Sequence, residues 1–341
     1  MLTDLLPQHE GKTLEFKRDV SSPENIIRTV VAFSNSAGGT IIIGVDDRTR
    51  SVRGVPDPTT TEELLANLIS DRIQPRLVPE IRIIPWRKTC VIALRVYPSS
   101  LRPHFVKTAG PEQGVYLRVG STNRRADPAQ IEEIRRFVRG STFDEEPLPE
   151  KDSEAIDFRA ASECFSSIRK LQRSDLRTLQ LTAIHQNREV PTVGGFLLFG
   201  RDRRATFADA YVRAGCFKGI DKSNIIDSAE IVGYLPQLVE DVLKFIQRNT
   251  RHATHVEGTK HAESYEFPPA ALREAVINAL VHADYAQQGA PLRVAIFDNR
   301  IEIDNPGGLP PGLTLEEIRR GVSKLRNRVI GRVFHELGLI E

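Results

Sequence analysis

Four acidic residues near the amino terminus, Glu10, Glu15, Asp46 and Asp47, are of the type that could hold a divalent cation. Carboxylates gathered on magnesium or manganese polarise a phosphodiester and lower the pKa of the attacking water. Lys17 would then stand at a phosphate oxygen. Residues five apart on one strand face opposite sides, so Glu10 has to sit on a turn to join Glu15. Ion pairing and helix capping by unrelated acids account for the same residues. A second set lies far along the chain. Glu274 and Asn278 are four apart and share a helix face. A glutamate there can orient or deprotonate a water, and an asparagine carbonyl can ligand magnesium held by phosphates. His282 continues the row, Asp284 follows, and Gly307, Gly308 and Gly312 permit close backbone approach to a ligand.

These groups need elements to position them. Leu14 to Lys17 alternates, so Glu15 and Lys17 share one face of an extended segment. Ser22-Pro23 reads as a helix start, with Ser22 as N-cap and Pro23 first in the helix. Ile26, Ile27, Val30, Val31 and Phe33 form its apolar stripe. Gly38-Gly39 ends it, and Thr40 to Val45 is the continuous apolar run of a buried strand that delivers Asp46 and Asp47. Asn35 is expected to meet a ligand at the end of these packed elements. Further along, Arg48 to Arg53 reads as a basic turn, Thr61 to Ile73 as a helix, and Ile81–Ile84 with Cys90–Tyr97 as a strand pair. Val115–Val119 is another strand and Pro128–Val138 a closing helix. Strands and helices mix without strict alternation, which predicts an α+β domain over residues 1–140. Ser141 to Glu154 holds six acids and two prolines among fourteen residues and reads as a solvated linker.

Residues 155–341 form the second domain, expected as a sandwich with helices packed on a mixed sheet. Ala155–Gln186 reads as mostly helical, and Thr192–Gly200 (TVGGFLLFG) and Ala208–Phe217 as strands. Tyr234–Gln247 and Pro268–Ala283 read as helices. Leu292–Phe297 and Arg300–Ile303 read as a hairpin leading into Asn305-Pro306-Gly307-Gly308. Thr314 to Glu341 is helical in pattern, interrupted by the polar run SKLRNR.

A chain of 341 residues at 40% hydrophobic and 27% charged content is ordinary for a globular protein of two or more domains. No apolar run approaches the roughly 18 residues of a membrane helix, and no signal-peptide pattern is visible. The three cysteines, Cys90, Cys164 and Cys216, are far apart, lack metal-type spacing and read as buried thiols in a reducing cytoplasm. Net charge is +2, divided as +5 over residues 1–140 and −3 over the rest. A modestly basic first domain is compatible with a polyanionic partner.

LEFK, AFSNSAGGTIIIGVDD and YLRVGSTNRRADPAQI together resemble the Schlafen-type, Alba-related DNA-binding domain of prokaryotic regulators, over roughly residues 8–139. The resemblance implies nucleic-acid binding. Lys17, Arg18, Arg48, Arg50, Arg53, Arg118, Arg124 and Arg125 are then the cations for phosphate contacts. In the nuclease branch of that family three acids cut RNA, and carried over they would be Glu10, Glu15 and Asp46 or Asp47. EAVINALVHADY, RIEIDNPGGLPPG, SKLRNRVI and LGLIE resemble a GHKL (Bergerat-fold) ATPase-type domain. By that resemblance ATP and magnesium are the cofactors. Glu274 is the water-activating acid, Asn278 the magnesium ligand, and Gly307 part of the glycine turn; Asn305 lies where adenine is read.

Three departures stand out. The register offers Asn305 where an aspartate is usual, with Asp304 one place early. Ala283 replaces an arginine, and Glu341 falls where relatives continue into a second glycine-rich segment, so the nucleotide lid and any winged helix are expected to be missing. The function expected is a cytoplasmic, homo-oligomeric DNA-binding transcriptional regulator with a nucleotide-responsive or degenerate second domain. The alternatives are a metal-dependent endonuclease acting on RNA or DNA, and an interaction scaffold that has lost its nucleotide.

Overall fold

Alternation along the first strand decides the layering of the amino-terminal unit. In β1 (Leu14–Lys17), Leu14 and Phe16 point into one apolar cluster with Ile42, Val91 and Ala93. β1 runs parallel to β2 (Gly39–Ile43). The four-stranded sheet is completed by β3 (Glu80–Trp86) and β4 (Thr89–Val96) in the order β1-β2-β4-β3. Its other face carries Ile41, Ile43, Ile92 and Leu94 against α1 (Pro23–Asn35) and α2 (Pro58–Arg72). A sheet covered on both faces needs an apolar residue at nearly every central position, which is why Thr40 to Val45 reads as an unbroken run. Pro23 opens α1, but Ser22 makes no side-chain capping bond. The capping expected there is found elsewhere, at Asp57 of α2 and in the Asp127–Gln130 box of α3 (Pro128–Arg139). The hairpin of β5 (Tyr116–Val119) and β6 (Thr122–Arg125) packs on α1.

The structure is a computed structural model that describes residues 2–250, 252–257, 260–310 and 313–340. Gly312 of the expected glycine turn lies outside them. The chain divides into two units, residues 1–141 with 309–324, and residues 142–308 with 325–341. Within the first, Lys12 Nζ donates to Leu313 O at 3.0 Å, and Lys324 lies 5.4 Å from the centre of the Phe137 ring. Among the described residues no helix is long and apolar enough to cross a membrane. Both units mix helices with mixed sheets, and the fold class is α+β.

The second unit corrects three expectations. Residues 142–154 are no solvated linker. Asp144 is fully buried, Leu148 N donates to Pro191 O and Val193 N to Glu146 O, so the first part of the acidic run is stitched into the unit while Glu150, Asp152 and Glu154 stay exposed. Within 155–186 only α4 (Phe158–Phe165) and the turn Asp175–Thr178 are helical, and Thr182–His185 is β7, paired with β8 (Arg188–Pro191). Thr192–Gly200 is not a strand. It forms α5 (Val193–Phe199), wholly buried, with Thr192 accepting the Gly195 N–H at 3.0 Å. An apolar run without periodicity fits a buried helix as well as a strand.

β9 (Val212–Phe217) pairs with β10 (Ile225–Ile231), a strand absent from the sequence reading. β9 also runs parallel to β11 (Leu292–Ile296), and β12 (Ile301–Asp304) closes the order β10-β9-β11-β12. The amphipathic α6 (Leu235–Asn249) and α7 (Pro269–His282) pack on each other and share one core with α5 and α8 (Arg328–Glu336). A hairpin of His252–Glu257 and Lys260–Tyr265, also unforeseen, joins α6 to α7.

Candidate nucleic-acid interface and nucleotide-binding turn

At the amino-terminal candidate site β1 presents Glu15 to the β5–β6 hairpin. Glu15 is buried, and its carboxylate is paired with both the Arg118 guanidinium and the Lys17 ammonium. Arg118 is fixed on every side. Its Nε donates to Gly11 O at 3.0 Å, its Nη1 to Asn123 Oδ1 at 2.9 Å, and its guanidinium lies 5.2 Å from the centre of the Phe33 ring. Asn123 in turn donates to Thr29 Oγ1 at 2.8 Å. Two cations on one acid leave this buried cluster net positive. Arg118, expected among the surface phosphate contacts, is therefore a packing residue, and Glu15 is committed to cations and not to a metal.

Two of the other acids bond locally. Glu10 Oε1 accepts the Phe16 N–H at 2.7 Å. Asp46 folds back on its own turn, accepting from Thr49 N at 2.9 Å, Thr49 Oγ1 at 3.0 Å and Arg48 N at 3.2 Å. Those bonds, Thr49's foremost, hold its carboxyl below the usual range. Asp47 is exposed. Among the described residues no three His, Cys, Asp or Glu side chains gather closely enough to hold a metal ion. Asn35 is turned into the fold. Fully buried, it donates to His104 O and Tyr116 O and accepts from His104 N, tying α1 to two later segments.

Cations collect where the parallel strands end. Gly44 N and Val45 N donate to Lys17 O, so the turn after β2 is held against the end of β1. That brings the turn carrying Arg48, Arg50 and Arg53 to the end of β1, which Lys17 closes and Arg18 follows. Arg50 donates to Pro7 O and meets His9 Nδ1. Arg18, Arg48 and Arg53 are exposed, and among the described residues none forms an ion pair; Asp19 and Asp46 are the acids that feel Arg18 and Arg53. On β6 Arg124 is exposed, and Arg125 donates to Gln113 Oε1 at 2.7 Å.

In the second unit Glu274 and Asn278 lie exposed on α7, with Asn278 Nδ2 donating to Glu274 Oε1 at 2.8 Å. His282 is half-buried, and burial first, then the nearby Arg326 charge, pushes its pKa down. Past the helix end the chain folds onto the glycine turn. Asp284 N donates to Pro306 O at 2.9 Å, Asp284 pairs with Arg326 at 3.5 Å, and Arg326 donates to Gly308 O. Gly307 has φ +96°, and a Cβ there would stand 2.6 Å from the Asp284 Cβ. Only glycine fits that approach. Asp304 ends β12 in register with Arg293 and is exposed; Asn305 follows, half-buried. The structure thus joins Asp284, Gly307 and Gly308, and separately Glu274 and Asn278.

Sequence reasoning missed the groups beneath the turn. Asn327 Nδ2 donates to Val281 O at 2.8 Å and Ala283 O at 2.7 Å, closing the end of α7. Its position in SKLRNR, just before an apolar helical run, was the available signal. Also unforeseen is a cavity of about 610 Å³ at the start of β9 and β11, whose wall includes Asp284 and Pro306 but not Glu274, Asn278, His282, Asp304 or Asn305.

Both units carry recognisable domain patterns. Residues 10–127 match the family "Schlafen, AlbA_2", and residues 289–341 match "Putative ATP-dependent DNA helicase recG C-terminal". The chain carries an N-terminal Schlafen AlbA_2 domain and a RecG-like C-terminal domain. Among solved structures, the DIP2311 protein from Corynebacterium diphtheriae aligns at 20% identity and a TM-score of 0.47, over 97% of this chain and 68% of its own. The N-terminal domain of a "Putative ATP-dependent DNA Helicase RecG-related Protein" from Nitrosomonas europaea aligns at 27% identity and a TM-score of 0.30, over 37% of this chain and 90% of its own. No curated protein matches the chain.

Proposed function

We propose that the protein is a nucleic-acid-binding regulator, with duplex DNA as the preferred partner, and that its second domain responds to a magnesium nucleotide. The observation that carries the first part is the set of exposed arginines, Arg18, Arg48 and Arg53, grouped at the ends of β1 and β2 without ion-pair partners among the described residues. Cations left free and held by a structured turn are what a phosphate backbone requires. The matched domain names are consistent with DNA as the partner. Each phosphate contact contributes about 0.9 to the slope of log affinity against log salt. Replacing Arg18, Arg48 and Arg53 together by alanine should lower the full-length chain's affinity for duplex DNA and reduce that slope by about 2.7. An unchanged slope would remove the proposal.

Glu274 and Asn278 fit a magnesium-bound phosphate group, since both are exposed and Glu274 has no cation partner among the described residues. A bound magnesium would neutralise phosphate charge there, and the Glu274 carboxylate would orient a water beside it. Calorimetric titration of the full-length chain with ATP and magnesium should show binding that Asn278→Ala weakens at least tenfold. Absence of heat with the parent chain would favour a scaffold role for this domain.

A further inference from the structure

The cavity of the second unit has a composition of its own. It lies where β9 and β11 begin, between the start of α6 and the end of α7. Its volume of about 610 Å³ falls within the roughly 300–1,000 Å³ typical of small-molecule sites. The inner wall is aromatic and aliphatic: Phe143 and Phe207 meet edge to face at 6.3 Å, with Tyr211, Leu238 and Leu280 beside them.

Charge on the wall is one-sided. Among the described lining residues the charged side chains are Asp209 and Asp284; the Arg204 and Arg213 guanidiniums are not part of the lining but lie 4.8 Å and 5.9 Å from the Tyr211 ring centre, so the aromatic face open to a ligand is that of Phe143 and Phe207. Asp284 already has Arg326 at 3.5 Å. Asp209 has no cation partner among the described residues. It accepts only the Gly289 N–H, at 2.6 Å through Oδ2, which leaves Oδ1 open. The buried Arg203 nearby is spent on backbone, donating to Leu197 O at 3.1 Å and Ala210 O at 2.9 Å. An apolar recess with aromatic faces and an uncompensated carboxylate is complementary to a cation on an apolar body. Ring quadrupoles and the carboxylate both favour positive charge.

We propose that this cavity is a binding site for a small organic cation, a flat apolar body bearing one protonated amine, with Asp209 receiving the ammonium. The wall includes neither Glu274 nor Asn278, although it shares Asp284 and Pro306 with the glycine turn.

Three probes sharing one ring and differing in charge test this on the full-length chain by calorimetry: tryptamine, the neutral alcohol tryptophol, and indole-3-acetate. Tryptamine should bind at least tenfold more tightly than tryptophol, and indole-3-acetate should give no heat. Asp209→Asn keeps an oxygen for the Gly289 N–H, and should bring tryptamine down to the tryptophol level while leaving tryptophol unchanged. Ala208→Trp, made from an exposed wall position, should block every probe. Equal binding of charged and neutral probes, preference for the anion, indifference to Asp209→Asn, or no binding at all would each overturn the proposal.

Discussion

Replacing Asp144 by asparagine should remove a pH dependence from the stability of the second unit. Asp144 is fully buried at the start of α8, accepting from Arg328 N and Ile330 N at 3.0 Å each and from Thr142 Oγ1 at 2.5 Å. Burial pushes its pKa up from 3.8 to about 6, against the pull of those hydrogen bonds. A carboxyl whose folded-state pKa is raised binds its proton more tightly folded than unfolded. Stability is therefore highest below the unfolded value and falls as pH rises between about 4 and 6. The linkage integral puts the loss between pH 4 and pH 7 at about 2.5 kcal/mol. Asparagine cannot ionise. It keeps one oxygen for α8 but turns its NH₂ toward the other backbone donor, a fixed cost of about 1–2 kcal/mol. The stability of the variant minus that of the parent should therefore climb by about 2.5 kcal/mol from pH 4 to pH 7, whatever its starting offset. Urea unfolding at matched pH, with hydrogen exchange of the α8 amides as the local readout, measures it. A flat difference, or one that falls with pH, would show that the helix N-terminus wins over burial and that the reasoning is wrong.

Two further substitutions probe packing. Arg118→Met removes the main partner of buried Glu15 and should cost about 3–5 kcal/mol, most of it recovered when Glu15→Gln is added. Trp86 fluorescence during urea unfolding reads the first unit directly, and a loss below about 1 kcal/mol would deny the pair its structural role. Gly195→Ala would place a Cβ 2.0 Å from Leu181 O, a backbone atom. Overpacking there should lower stability by about 1–3 kcal/mol in the same assay read by circular dichroism, and a neutral effect would mean that α5 is free to shift.

What was legible in the sequence was local. The alternation of Leu14–Lys17, the stripe of α1, the run into β2 and the amphipathic α6 each follow from spacing within a dozen residues, and each element formed. The failures came where distant partners decide. The acidic run at 141–154 looks solvated until one sees that Asp144 caps a helix 184 residues further on. Thr192–Gly200 became a helix because Thr192 caps it, while Gly194 and Gly195 let the neighbouring chain approach. At the candidate site, types and positions of Glu15 and Lys17 were readable. The partner that buries Glu15 lies 103 residues away, and no periodicity carries that information.

The same geometry bears on whether the first domain holds nucleic acid or cuts it. A metal site needs carboxylates with free lone pairs converging on one point. Here Glu10 gives one oxygen to a backbone N–H, Asp46 gives one oxygen to its own turn, and Glu15 is paired with two cations, so the three do not converge on one point. Seating a divalent ion on Glu15 would mean displacing Arg118 from a pocket in which its other groups are satisfied by Gly11 and Asn123. Breaking a buried pair costs about 3–5 kcal/mol before any metal ligand is gained. The surface arginines need no such rearrangement, because Arg18, Arg48 and Arg53 already face solvent and form no ion pair among the described residues. For a phosphate backbone arriving at the ends of β1 and β2, holding is therefore the low-cost outcome, and cleavage would first require Glu15 to be released.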